Sequence, residues 1–123
     1  MSEPQAPDER RSLALVDLGD EDRYEIVLSE DGTLVALVTY RIGKGWIALL
    51  HTEVQPGFEG QGMGSRAASM VFDDARQRGL KVIPKCPFIL RWLERHPEQH
   101  DVLQRPLASA DDTLGSTGPL DMS

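Results

Sequence analysis

Cysteine is almost missing from this chain of 123 residues. Cys86 stands alone, so no disulfide can close within the chain and the composition suits a reducing compartment. Long apolar runs are missing too, and none approaches the ~20 residues a bilayer span needs. The opening stretch MSEPQAPDER has no apolar segment that could serve as a secretory signal, and the expected location is the cytoplasm. Basic residues are outnumbered, 13 Lys and Arg against 20 Asp and Glu, for a net charge of −7. Such a balance lacks the positive footprint that nucleic-acid phosphates require, so neither a membrane nor nucleic acid is expected as a partner. Aromatic residues make up only 6%, but apolar residues reach 40%, enough at this length for one packed core.

The charge is uneven. From Gly60 to His96 seven Lys/Arg (Arg66, Arg76, Arg78, Lys81, Lys85, Arg91, Arg95) face three acids (Asp73, Asp74, Glu94), a local +4 that leaves −11 for the remainder. A basic segment in an acidic chain suits an anionic small molecule, although a solvated helix face has the same composition.

Residues 1–12 and 106–123 are polar and rich in Pro, Ser, Asp and Gly, which predicts disordered tails around a domain at 13–105. Within it, Arg23–Glu30 alternates Tyr24, Ile26 and Leu28 with polar neighbours, the period of a half-buried strand. Asp31-Gly32 makes a hairpin turn, and Thr33–Arg41, apolar on both faces, reads as a central strand. Trp46–Val54 is a third strand, whose strict alternation would send Ile47, Leu49, His51 and Glu53 one way and Trp46, Ala48, Leu50 and Thr52 the other. Met63–Arg78 carries a helical stripe of Ala67, Ala68, Val71, Phe72 and Ala75, capped by Gly79. Leu80–Pro84 is a short strand, and Phe88–His96 a second helix stopped by Pro97. The fold class is α/β (α+β): a mixed, mostly antiparallel sheet with two main helices.

Glu59-Gly60-Gln61-Gly62-Met63-Gly64 joins a strand to a helix, so its amides can point at an anion on the helix's positive end. A tight turn would look the same. No Lys-Ser/Thr pair follows, which excludes a Walker A loop, and the G-x-G-x-G spacing with no acid ~20 residues on excludes a dinucleotide fingerprint.

The stretch His51–Leu103 resembles the small, single-domain branch of the GNAT superfamily of N-acetyltransferases, and the preceding hairpin is also similar, so the likeness covers most of residues 22–103. Four motifs carry it: HTEV (His51–Val54), EGQGMG (Glu59–Gly64), the Pro84–Phe88 run with CPF, and Arg95 with His96-Pro97-Glu98. The resemblance implies the GNAT core, acetyl-CoA as donor, and an amine as acceptor. It also implies a diphosphate held by Gly60, Gln61, Gly62, Met63, Gly64 and Ser65, with the pantetheine arm running past Val54. Glu59 stands where the superfamily usually has Arg or Gln, and the helices that usually part the first two strands are absent, so the acceptor's identity does not carry over.

Transfer to an amine needs a neutral nitrogen, a polarised thioester and a protonated leaving thiol. His51, with Glu53 nearby, is either the base or a packed strand histidine. Cys86 has three open roles: an acyl-accepting nucleophile, a proton donor to the leaving thiol, or a small apolar lining residue. His96 and His100 have a spacing seen in zinc sites, but Pro97 intervenes and further ligands are lacking, so no metal is expected. The favoured reading is an acetyl-CoA-dependent N-acetyltransferase acting directly on a primary amine. The alternative is a CoA-binding or interaction module with little catalysis, and the oligomeric state is not legible.

Overall fold

Along Arg23–Leu28, Tyr24, Ile26 and Leu28 are buried while Arg23, Glu25 and Val27 are partly exposed, the two-residue period of a strand with one face in a core. The computed structural model describes residues 12–105, and apart from Ser12 the expected tails lie outside the described residues. In chain order the elements are β1 (Leu13–Leu18), β2 (Arg23–Leu28), β3 (Leu34–Gly43), β4 (Trp46–Val54), α1 (Met63–Gln77), β5 (Lys81–Pro84) and α2 (Pro87–Glu94). Short 3-10 turns follow β1 at Gly19–Glu21 and α2 at Pro97–Val102.

The strands form one sheet in the order β1-β2-β3-β4-β5. The first four are an antiparallel meander, and β5 lies parallel to β4. A parallel neighbour needs a crossover, which α1 supplies. β1 is an addition to the sequence reading, which began its strands at Arg23. Its apolar run Leu13–Val16 lacks alternation, and pairing with β2 from Leu13↔Leu28 to Leu18↔Arg23 makes it a strand. The β2–β3 connection turns at Gly32, with φ of 77°, while the Asp31 carboxylate accepts from the Thr33 N–H at 3.0 Å.

Both helices pack on one face. The rings of Phe72 on α1 and Trp92 on α2 lie 5.0 Å apart, and the Trp92 indole N–H donates to Ser65 Oγ at 3.0 Å. Beneath them Val38, Tyr40, Ile47, Leu49 and Val82 are buried. Each fully buried large side chain contributes roughly 1.5–3 kcal/mol, so this face holds the domain together. No helix among the described residues covers the opposite face, which carries Val16, Glu25, Leu37 and Glu53 in one cross-strand row and Leu18, Arg23, Thr39 and His51 in the next.

One polar cluster ties the sheet to the end of α1. The Tyr24 hydroxyl donates to Asp74 Oδ2 at 2.7 Å, and Tyr40 donates to Asp17 Oδ1. Arg78 donates to Asp74 at 3.0 Å, to Asp17 at 3.1 Å and to the Tyr24 oxygen at 3.2 Å.

The strict alternation expected for Trp46–Val54 fails at its centre. Leu49 pairs with Tyr40 and His51 with Thr39, so Leu50 is an extra residue in β4 and the register shifts there. A bulge of this kind reverses the facing of everything beyond it. Ile47 and Leu49 therefore lie in the core, whereas His51 and Glu53, opposite Thr39 and Leu37, lie on the helix-free face, and Thr52, opposite Val38, faces the helices.

Candidate active site

β4 and β5 run together only from Trp46↔Lys81 to Leu49↔Pro84. The Leu49 carbonyl then accepts from both the Lys85 and Cys86 N–H groups, at 2.9 and 3.1 Å, and the strands part while β4 continues to Val54. The Gln55 N–H donates to the Val35 carbonyl at 2.8 Å. Alternation along an antiparallel ladder then turns the backbone of Glu53 toward β3 and that of Thr52 and Val54 toward the gap. The gap is thus edged by N–H and C=O groups able to pair with an extended ligand.

The loop after β4 leads to the head of α1. Gly57, Gly60 and Gly62 have φ of 95°, 77° and 77°, the left-handed region that a side chain disfavours. The Arg66 N–H is bonded to the Gly62 carbonyl at 3.1 Å. The N–H groups of Met63, Gly64 and Ser65 belong to the opening turn, where an α-helix offers no partner. No side chain caps this helix and no acid occupies its first turn, so its positive end is open to an anion. The Gln61 amide folds back to donate to the Gly57 carbonyl at 3.0 Å and braces the loop.

These elements border a cleft of about 370 Å³ lined by Val54, Phe58, Glu59, Gly60, the segment Gly62–Ser65, Phe88 and Arg95. A larger hollow of about 600 Å³ lies on the other flank of Gly62, beside Leu13 and Met70. Only the smaller one reaches the end of β4.

α2 forms the far wall of that cleft. Phe88, Trp92 and Arg95 recur at helical spacing and share one face. Phe88 lies against Gly64, Trp92 is bonded to Ser65, and Arg95 is carried into the cleft beside them. Arg95 and Phe88 belong to motifs that carry the resemblance but were not named as site residues; the signal was their shared stripe with Trp92. His96 stacks on Trp92 at 4.5 Å and bonds through Nδ1 to the Trp92 carbonyl at 2.8 Å, while His100 Nε2 meets the Leu93 carbonyl at 2.7 Å. Carbonyls only accept, so each of these ring nitrogens carries a proton, and both histidines finish the C-terminal turn of α2. Among the described residues no group of three or more His, Cys, Asp or Glu is placed to hold a metal ion.

The three candidate chemical residues divide between two faces. Cys86 is buried, is the residue preceding α2, and its thiol donates to Thr52 Oγ1 with Sγ 3.5 Å away. His51 and Glu53 sit together on the opposite, helix-free face, both exposed. β4 therefore carries His51 and Glu53 on one face and Thr52, the partner of Cys86, on the other. Thr52 was not among the expected site residues, because its facing depends on the bulge.

Residues 23–102 match the family of GCN5-related N-acetyl-transferases. Among solved structures the chain is similar to a GCN5-like putative N-acetyltransferase from Staphylococcus aureus, with 30% identity, a TM-score of 0.56, and coverage of 74% of this chain and 87% of that one. It is also similar to a ribosomal-protein-alanine N-acetyltransferase from Brucella melitensis biovar Abortus 2308, with 20% identity, a TM-score of 0.44, and coverage of 66% and 62%. No curated protein matches the chain significantly. No helix among the described residues is long and apolar enough to cross a membrane.

Proposed function

Since the chain belongs to the GCN5-related N-acetyltransferase family, we propose that it moves an acetyl group from acetyl-CoA to a primary amine, with residues 13–105 as the working unit, in the cytoplasm. One observation carries this reading: a single cleft is lined both by the uncapped head of α1 and by Val54, the last residue of the unpaired edge of β4.

The residues fit such a ligand. Side-chain-free positions at Gly60 and Gly62 let an anion approach the backbone, because nothing lies within 4 Å of where a Cβ would stand. The amides of Met63, Gly64 and Ser65 hold the diphosphate. The backbone of Thr52 and Val54 orients the amide-bearing pantetheine arm as though it were one more strand. Acetyl-CoA supplies the activated acyl carbonyl and a thiol that can leave.

The chain's own groups handle the protons. The helix side of the gap is filled by Cys86 and the core, so the amine arrives from the open face, where His51 and Glu53 stand. As the new N–C bond forms and the C–S bond breaks, His51 takes the amine's proton, directly or through a water beside Glu53. Cys86, whose thiol is bonded to Thr52 Oγ1, would supply a proton to the departing thiolate. The connections β1–β2 and β2–β3 contain no α-helix, so among the described residues no helical wall closes over the acceptor. The acidic remainder of the chain favours a cationic acceptor.

The test is release of free CoA from acetyl-CoA with a panel of polyamines, lysine peptides and amino sugars, alongside calorimetric binding of CoA. Turnover with at least one amine supports the assignment. Binding without turnover across the panel would leave a CoA-binding module instead.

A further inference from the structure

Among the described residues Arg95 is the only cation lining the cleft, and it makes no ion pair with any of them. It does not stand on the phosphate loop. It follows α2 directly, seven residues after Phe88, which places its Cα about 10 Å along the helix from the point where Phe88 meets Gly64. Its position is set firmly, because Trp92 in the same stripe is fully buried and bonded to Ser65.

The open amides at the head of α1 already supply donors for one anionic group. A guanidinium about two turns away on another element meets a second anion, farther along the same ligand. Coenzyme A carries such a group in the phosphate on its ribose 3′ oxygen, which its dephospho form lacks. We propose that Arg95 binds this 3′-phosphate and so makes the chain selective for coenzyme A over 3′-dephospho-coenzyme A. The inference rests on the acetyl-CoA reading above. Arginine suits the task because its planar fork can give two parallel N–H bonds to phosphate oxygens. Glu59, the acid in the same cleft, raises the need for a cation there.

The experiment is calorimetric titration of the full chain with coenzyme A and with 3′-dephospho-coenzyme A, for the wild type, Arg95→Gln and Arg95→Lys. The wild type should prefer coenzyme A roughly ten- to a hundredfold, as expected for charge-assisted hydrogen bonds. Arg95→Gln should lose that preference by weakening coenzyme A alone, and Arg95→Lys should restore part of it. The Arg95 side chain is exposed, so melting temperatures should stay within a few degrees. Equal wild-type affinity for the two ligands, or an Arg95→Gln loss of the same factor for both, would overturn the inference and leave the acetyl-transfer reading standing. If the wild type binds neither ligand, the functional reading itself fails and this inference with it.

Discussion

Phe88 lies so close over Gly64 that a Cβ on the glycine would stand 2.7 Å from the ring's Cζ. The head of α1 and the first turn of α2 therefore meet with no room for a methyl group, in the lining of the cleft. Gly64→Ala should move the Phe88 ring and reshape the cleft. Inside a helix the same change gains about 1 kcal/mol of propensity, which offsets the crowding. The expected result is a melting temperature within a few degrees of wild type and a CoA affinity reduced about tenfold or more, measured by calorimetry. Unchanged affinity would show that the ligand does not use this part of the cleft.

Gly62, with φ of 77°, precedes α1 in a conformation that costs a residue with a side chain roughly 1–2 kcal/mol. Gly62→Val should lower stability by about that much, and its β-branched side chain would stand where the anion approaches the amides. CoA binding should vanish while the circular dichroism spectrum stays that of the folded chain. A folded variant that still binds CoA normally would remove the loop from the site.

The separation of Cys86 from His51 by β4 leads to different expectations for the two. Direct attack by the amine relies on orientation and on a base at the open face, so Cys86→Ala should keep a measurable rate, about 10- to 100-fold down. His51→Ala should be at least as damaging and should change the pH dependence of kcat/KM. Intact-mass analysis after mixing with acetyl-CoA alone decides the route: a stoichiometric acetyl adduct on Cys86 that disappears on adding amine would establish a covalent pathway.

The tyrosine pair makes stability sensitive to alkali. Burial, and then the hydrogen bond to Asp74, pushes the Tyr24 hydroxyl well above its ordinary range, and burial followed by the bond to Asp17 does the same for Tyr40. A group whose folded pKa is raised contributes stability that is complete below the unfolded value, about 10 for tyrosine, and is lost as pH climbs toward the folded value. Urea midpoints should therefore hold up to about pH 10 and then fall. Tyr24→Phe should cost about 1–2 kcal/mol at neutral pH and make the alkaline fall shallower. A fall of the same steepness in Tyr24→Phe and Tyr40→Phe would place its cause elsewhere.

Much of the fold was legible from residue order because local rules acted unopposed. The alternation of Tyr24, Ile26 and Leu28, the Asp31-Gly32 turn, the alanine stripe of α1 and the Pro97 stop each depend on neighbours within a few residues. β1 was not legible, since Leu13–Val16 has no period of its own and becomes a strand only by pairing with β2. The bulge at Leu50 was equally hidden: β4 reads as an unbroken alternating strand, and the extra residue exists only relative to Thr39 and Tyr40 across the ladder.

By itself the sequence determined the elements from β2 to α2, the glycine loop ahead of α1 and the grouping of His51 with Glu53, because each is a matter of spacing along one segment. Tertiary structure decided which side of the sheet each chemical group occupies and which distant residues share the cleft. Thr52 meets Cys86 across 34 positions, and Arg95 lines the same cleft as the loop before α1, only because β4 bulges, β5 stops pairing at Pro84 and α2 is anchored through Trp92 to Ser65. Facing and proximity of that kind come from the register between strands and the packing between helices, free-energy terms that no single segment contains.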